Sequence, residues 1–190
     1  MKDLKIILAS GSPRRRELLG GLGFDFKVCP IEGVEEVYPD SLPAEEVAEF
    51  LSRLKASAWT SPLPSDTALV TADTVVVNNG TVLGKPRDEE DAARMLRGLS
   101  GHTHQVYTGV TIRHGQLTKS FTSRTDVSFA VLEEEEIKYY IENFHPMDKA
   151  GAYGIQEWIG YVGVESITGS YFNVMGLPVN RLYRELAEMV

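Results

Sequence analysis

With a single cysteine, Cys29, the chain cannot close an internal disulfide, and no Cys or His lies at the paired spacing of a structural zinc site. A reducing, cytoplasmic setting fits that usage. Basic residues are also outnumbered: 19 Lys and Arg against 27 Asp and Glu leave a formal charge of -8. Binding along a nucleic-acid backbone draws on Lys and Arg neutralising successive phosphates, so a nucleic-acid partner is not expected. Nor is there a basic stripe interleaved with aromatics. Long apolar runs are missing as well. The apolar run at residues 4–9 is too short for a secretory signal with its cleavage site, and no stretch approaches the ~20 residues of a membrane span. Internal repeats and low-complexity tracts are absent, and the one linker-like patch is the Ser- and Pro-rich stretch 60–67.

What is present is a hydrophobic share of 43%, enough for a core, and a length of 190 residues that suits one compact α/β domain over residues 1–190. Residues 4–9 read as a strand, Ser10-Gly11-Ser12-Pro13 as a break, and residues 14–22 as a helix with Leu18, Leu19 and Leu22 at helical spacing. Ser12 suits the N-cap and Pro13 the first helical position. A second strand is expected at 24–28. A helix follows at 44–59, with Val47, Phe50, Leu51, Leu54 and Ala58 on one face.

The β-branched run 68–77 meets Asn78-Asn79-Gly80, a hairpin signal, and 81–84 runs back. With Asn79 and Gly80 as the loop, Val77 pairs with Val82 and Val76 with Leu83; continued, the register sets Thr74 against Lys85 and brings Lys85 beside Asp73. A helix at 88–99, strands at 105–113 and 119–132, a helix at 133–143, a strand at 160–167 and a helix at 178–189 complete an alternating α/β pattern with a mixed sheet.

Three constellations carry chemistry. The first, Ser10-Gly11-Ser12-Pro13-Arg14-Arg15, gathers free N–H groups at a helix N-terminus and follows them with two guanidinium groups, which suits phosphate. An ordinary N-cap with solvated arginines explains the same residues, and the P-loop spacing is absent. The second is Asp73 inside the run Thr71-Ala72-Asp73-Thr74-Val75-Val76, with Gly84-Lys85-Pro86 on the return. A carboxylate there is costly to bury unless it is paired, binds a metal or sits at an open strand end. Asp73 is therefore a metal ligand or general base with Lys85 donating to phosphate, or the two are simply a salt bridge. The third, residues 148–156 (DKAGAYGIQ), permits close backbone approach and ends on Gln156, whose amide can read a base; a plain tight loop fits equally.

Glu35-Glu36 can add a carboxylate to a divalent cation or be solvated, and Lys55 projects near the opposite edge of its helix's apolar stripe, where a solvated lysine explains it. Glu133 to Glu136 read as a helix first turn only. His102, His104, His114 and His145 lack partners at recognisable spacing and receive no catalytic role.

Taken in order, LASGSPRRRELL, ADTVV with GKP, SGHTHQVYTGV, DKAGAYGIQE and ITGSYFNVMGLPV resemble the Maf family of septum-formation proteins, nucleoside triphosphate pyrophosphatases, over nearly the whole chain. The resemblance implies an elongated mixed β-sheet flanked by helices, two lobes around a nucleotide cleft, and often a homodimer. By the same resemblance Ser10, Ser12, Arg14 and Arg15 match the phosphate-binding loop, Asp73 the catalytic acidic residue, and Lys55 and Lys85 the lysines lining the cleft. Glu36, with Glu35 as the alternative across a one-residue shift, matches the residue that joins Asp73 in holding Mg²⁺ or Mn²⁺. Arg14, Thr74 and Gln156 match the discriminating positions of the branch acting on dTTP and UTP, and the segment differs from that of the 7-methyl-GTP branch.

The expected activity is therefore hydrolysis of dTTP and UTP, or modified pyrimidine relatives, to the monophosphate and diphosphate. A non-hydrolytic nucleotide sensor of cell division is the rival. Asp73 speaks against it, since a carboxylate beside bound phosphates repels them unless a cation intervenes.

Overall fold

The computed structural model describes residues 4–189; residues 1–3 and 190, the ends of the domain expected over 1–190, lie outside the described residues. Seven strands form one mixed sheet: β1 (Lys5–Leu8), β2 (Asp25–Val28), β3 (Thr67–Asn78), β4 (Thr81–Leu83), β5 (Thr103–His114), β6 (Leu117–Phe129) and β7 (Val164–Thr168). Their order is β2-β1-β3-β5-β6-β7, with β4 paired to β3. The helices are α1 (Pro13–Gly20), α2 (Ala44–Ala58), α3 (Glu89–Leu99), α4 (Glu134–Phe144), α5 (Trp158–Val162), α6 (Tyr171–Met175) and α7 (Val179–Glu188). The α/β class read from the sequence is the class observed. Among the described residues no helix is long and apolar enough to cross a membrane.

The chain forms two compact units, and the boundaries between them fall within β3, β5 and β6. One unit takes the chain up to Asp73, Thr108–Ser123 and the chain from Gly176; the other takes Thr74–Tyr107 and Arg124–Met175.

In the first unit β1 runs parallel to both β2 and β3, pairing Lys5 with Asp25 and with Thr67. Short parallel strands need both faces covered, and Ile6, Leu8, Leu69 and Val70 are accordingly buried. α1 starts where the sequence places it. Ser12 is the N-cap, its hydroxyl accepting from the Arg15 N–H at 3.4 Å, and Pro13 opens the helix. It stops at Gly20, two residues short of the expected end, at a glycine-rich turn where Gly23 has φ +76°.

α2 buries Val47, Ala48, Leu51, Ser52 and Ala56, whereas Phe50 and Leu54 are only half-buried and Ala58 is exposed. The buried stripe is thus rotated from the expected one toward small residues. The cause is close packing on the sheet: a Cβ on Gly109 of β5 would lie 2.3 Å from the Ala48 carbonyl. The rotation sets Lys55 one turn beyond Leu51 in the row Val47, Leu51, Lys55, so its stem continues the buried stripe.

In the second unit the hairpin has the predicted register, Val76 with Leu83 and Val77 with Val82, closed by Asn79 (φ 49°) and Gly80 (φ 76°). The ladder does not continue to Gly84 and Lys85. Instead the Gly84 carbonyl accepts from the Gly151 N–H at 3.0 Å, so the return chain is bonded to the loop that bears the third motif. The core of this unit is contributed by Leu96, Leu99, Phe129, Ile137, Tyr140, Ile141 and Ile159, among others. α4 opens with a capping box, Glu133 and Glu136 each satisfying the other's backbone N–H. The strand expected over 160–167 is instead helix α5 followed by β7, because the chain completes a turn before extending. The Gly163 N–H bonds to the Ile159 carbonyl at 2.8 Å, and β7 then pairs antiparallel with β6.

Candidate active site

Two groups of functional side chains converge in the first unit. The first stands at the start of α1. Ser10 is buried, and its hydroxyl accepts from the Ser12 N–H at 3.3 Å and from Arg15 Nη1 at 3.4 Å. Arg15 is held further by two carbonyls: Nε donates to Gly176 at 2.7 Å and Nη1 to Ala72 at 2.9 Å. Burial lowers the guanidinium's pKa; Asp73 opposes this, Arg14 adds to it and Glu36 opposes it again. Arg15 remains a cation, since a guanidinium does not deprotonate in proteins. Arg14 is half-buried beside it. Serine hydroxyls, backbone N–H groups and two guanidinium groups at one helix N-terminus make a corner that is rich in donors for an anion.

The second group adjoins the first through Ala72. Asp73 follows it on β3 with its side chain 10% exposed, and it accepts a short hydrogen bond from Lys55 Nζ. Lys55, itself 16% exposed, also pairs with Glu36 Oε1 at 2.8 Å. Lys55 is therefore a half-buried partner of two carboxylates and not a solvated lysine. Of the two adjacent glutamates, it is Glu36 whose carboxylate shares the Lys55 ammonium with Asp73. The buried Thr71, two residues before Asp73, donates from Oγ1 to the Ser52 carbonyl of α2 at 2.7 Å, which ties the strand carrying Asp73 to the helix carrying Lys55.

The remaining candidates belong to the second unit. Thr74 is half-buried on β3, Lys85 is exposed just after β4, and Gln156 is half-buried after the Gly-rich segment. The segment around Gln156 is fixed by groups that sequence reasoning did not single out. The Tyr140 hydroxyl accepts from the Gly154 N–H at 2.9 Å and donates a short bond to Glu157 Oε2, while Lys149, 8% exposed, pairs with Glu157 Oε1 at 3.2 Å. Lys149 also bonds Asp148 at 2.7 Å. Burial and then Glu157 push the Tyr140 hydroxyl's pKa well up, so it stays a donor. The only sequence signal was the motif itself, which contains Lys149 and abuts Glu157. Tyr140 lies in another element, and only folding brings it there.

Comparison with known proteins decides the family. A family model described as "Maf-like protein" matches residues 5–189. The chain belongs to the Maf-like family. Among curated relatives of this Maf-like chain, a "dTTP/UTP pyrophosphatase" of Bacteroides fragilis (strain YCH46) is 55% identical over 185 residues, covering 97% of this chain and 96% of the relative. Proteins of the same name from Phocaeicola vulgatus and Porphyromonas gingivalis (strain W83) are 54% and 53% identical, covering 100% and 99% of the chain and 98% and 96% of themselves. Of solved structures, a HAM1 protein from Coxiella burnetii superposes with a TM-score of 0.52 at 14% identity, covering 97% of this chain and 99% of that one, which shows a shared fold.

Among the described residues of the Maf-like chain no group of three or more His, Cys, Asp or Glu side chains gathers as a metal site. Glu36 and Asp73 are the carboxylates that meet there, both on the Lys55 ammonium. Two carboxylates already converging on an ammonium are a donor set that suits Mg²⁺ or Mn²⁺, which is commonly held by one or two carboxylates together with substrate phosphates.

Proposed function

We propose that this chain hydrolyses dTTP and UTP to the nucleoside monophosphate and diphosphate. The observation that carries the reading is the convergence of Glu36, Lys55 and Asp73 on one point, with the Arg15 guanidinium bonded to the carbonyl next to Asp73. The names of relatives that match it end to end supply the substrate class.

Cleavage between the α and β phosphates needs an activated water, neutralisation of developing negative charge, and donors for the leaving diphosphate. Asp73 orients or deprotonates the water. Ser10, Ser12, Arg14 and Arg15 hold phosphate oxygens from the start of α1, and Lys55 and Lys85 add donors. Glu36 and Asp73 would hold Mg²⁺ or Mn²⁺, whose charge, when it is bound, offsets that of the triphosphate. Arg15 is fixed by the Ala72 and Gly176 carbonyls before substrate arrives, so little reorganisation is left to its phosphate contact. Gln156, with Arg14 and Thr74, selects the pyrimidine. A homodimer and a cytoplasmic setting belong to the same proposal, and neither is used in the chemistry.

A pure nucleotide sensor has no use for Asp73, whose carboxylate would oppose bound phosphates. The test is turnover of dTTP, UTP, CTP, GTP and 7-methyl-GTP with Mg²⁺ or Mn²⁺. Turnover of dTTP and UTP that disappears in a folded Asp73→Asn variant supports the reading, and nucleotide binding without hydrolysis refutes it.

A further inference from the structure

Lys55 and Arg15 are both cations beside Asp73, yet they are held in different ways. Arg15 donates to two backbone carbonyls, which are fixed by the fold and stay neutral. The Lys55 ammonium has carboxylates as its acceptors, Glu36 Oε1 at 2.8 Å and Asp73 Oδ1. These are the same oxygen donors that the proposed cation would use. A Mg²⁺ ion sits at about 2.0–2.1 Å from its oxygen ligands. Bound to this pair, it would be a close neighbour of an ammonium already at hydrogen-bond distance, and like charges so near each other repel. The Lys55 stem has four flexible carbons and can swing, whereas Arg15 is pinned.

We propose that Lys55 and the divalent cation are alternative occupants of the Glu36–Asp73 pair. The ammonium holds the two carboxylates together until the cation takes its place, and the displaced ammonium is then available to phosphate oxygens. Cation entry and phosphate capture are thereby coupled through one side chain, and such coupling is reciprocal. The inference rests on the assignment of Glu36 and Asp73 as the cation's ligands.

The probe is Mn²⁺ alone, titrated into the nucleotide-free protein with unbound Mn²⁺ counted by electron paramagnetic resonance. Lys55→Met should tighten Mn²⁺ binding by about tenfold, within the roughly 5- to 150-fold range of coupled sites. Asp73→Asn should weaken it. If Asp73→Asn weakens binding but Lys55→Met leaves it unchanged or weaker, the exchange is wrong while the ligand assignment stands. If neither substitution changes binding, both are wrong. Should Lys55→Met fail to fold, ¹⁵N spectra of the lysine ammonium groups answer the question in the unmodified protein. The ordered Lys55 signal should be lost or shifted as Mg²⁺ saturates the site, and its persistence unchanged would overturn the proposal.

Discussion

Arg15 Nη1 donates to the Ala72 carbonyl at 2.9 Å, so a residue in the first turn of α1 is bonded to the strand position immediately before Asp73. The donor-rich corner at the start of α1 and Asp73 therefore share a rigid reference. Replacing Arg15 with Lys keeps the charge but loses the fork that reaches both the Ala72 and Gly176 carbonyls. Arg15→Lys should lower kcat/KM for dTTP by about 10²-fold, the scale of losing one preorganised donor, with most of the loss in kcat. Steady-state kinetics on the two proteins checks this.

The Gln156 segment depends on a buried hydroxyl. In Tyr140→Phe the Gly154 N–H and the Glu157 carboxylate each lose a partner. Leaving buried polar groups unsatisfied costs about 1–3 kcal/mol, so the urea midpoint should fall accordingly. Preference for dTTP over CTP should fall with it, because the backbone beside Gln156 is no longer held.

His104 sets a pH dependence of stability. The ring is fully buried, Nε2 is 2.7 Å from the Tyr153 hydroxyl, and burial pushes its pKa down from 6.5 to about 4. The unfolded chain therefore takes up a proton near pH 6.5, and the folded chain resists it until about pH 4. Stability from this group is complete above pH 6.5 and is lost as pH falls through that window, reaching about 2 kcal/mol of loss at pH 5. Urea unfolding at pH 7 and pH 5 should show the drop, and His104→Gln should flatten it.

α2 lies so close to β5 that Gly109 has no room for a side chain, its Cβ position being 2.3 Å from Ala48 backbone atoms. Gly109→Ala must push the helix away. A cost at or above the top of the usual 1–3 kcal/mol for overpacking is expected in thermal or urea unfolding. Turnover should drop more than stability alone explains, since Lys55 moves with α2.

These effects differ in how far the sequence announced them. Ser12 and Pro13 at the start of α1, and Asn79-Gly80 in the hairpin, were legible because caps and tight turns are chosen by a few adjacent residues. The two residues of α1 beyond Gly20 and the short helix α5 were misread, because glycines and β-branched residues there leave local preference weak and tertiary contacts decide. The continuation of the hairpin to Lys85 failed because the Gly84 carbonyl is bonded to Gly151, a partner far along the chain.

In the site, Asp73 was conspicuous as a carboxylate in an apolar strand. Lys55 was ambiguous, because its meaning hangs on a rotation of α2 set by the small residues facing Gly109. Tyr140 and Glu157 carried no signal of their own, since hydroxyl and carboxylate meet only after α4 is in place. The five ordered motifs point to the family, and folding brings Glu36 and Asp73 together on the Lys55 ammonium.

Cleavage between the α and β phosphates of a pyrimidine triphosphate leaves products that ³¹P nuclear magnetic resonance distinguishes. With dTTP and Mg²⁺, thymidine monophosphate and inorganic diphosphate should form in equal amounts, and neither should form with Asp73→Asn. Orthophosphate with thymidine diphosphate, or an unchanged spectrum beside demonstrable dTTP binding, would contradict it.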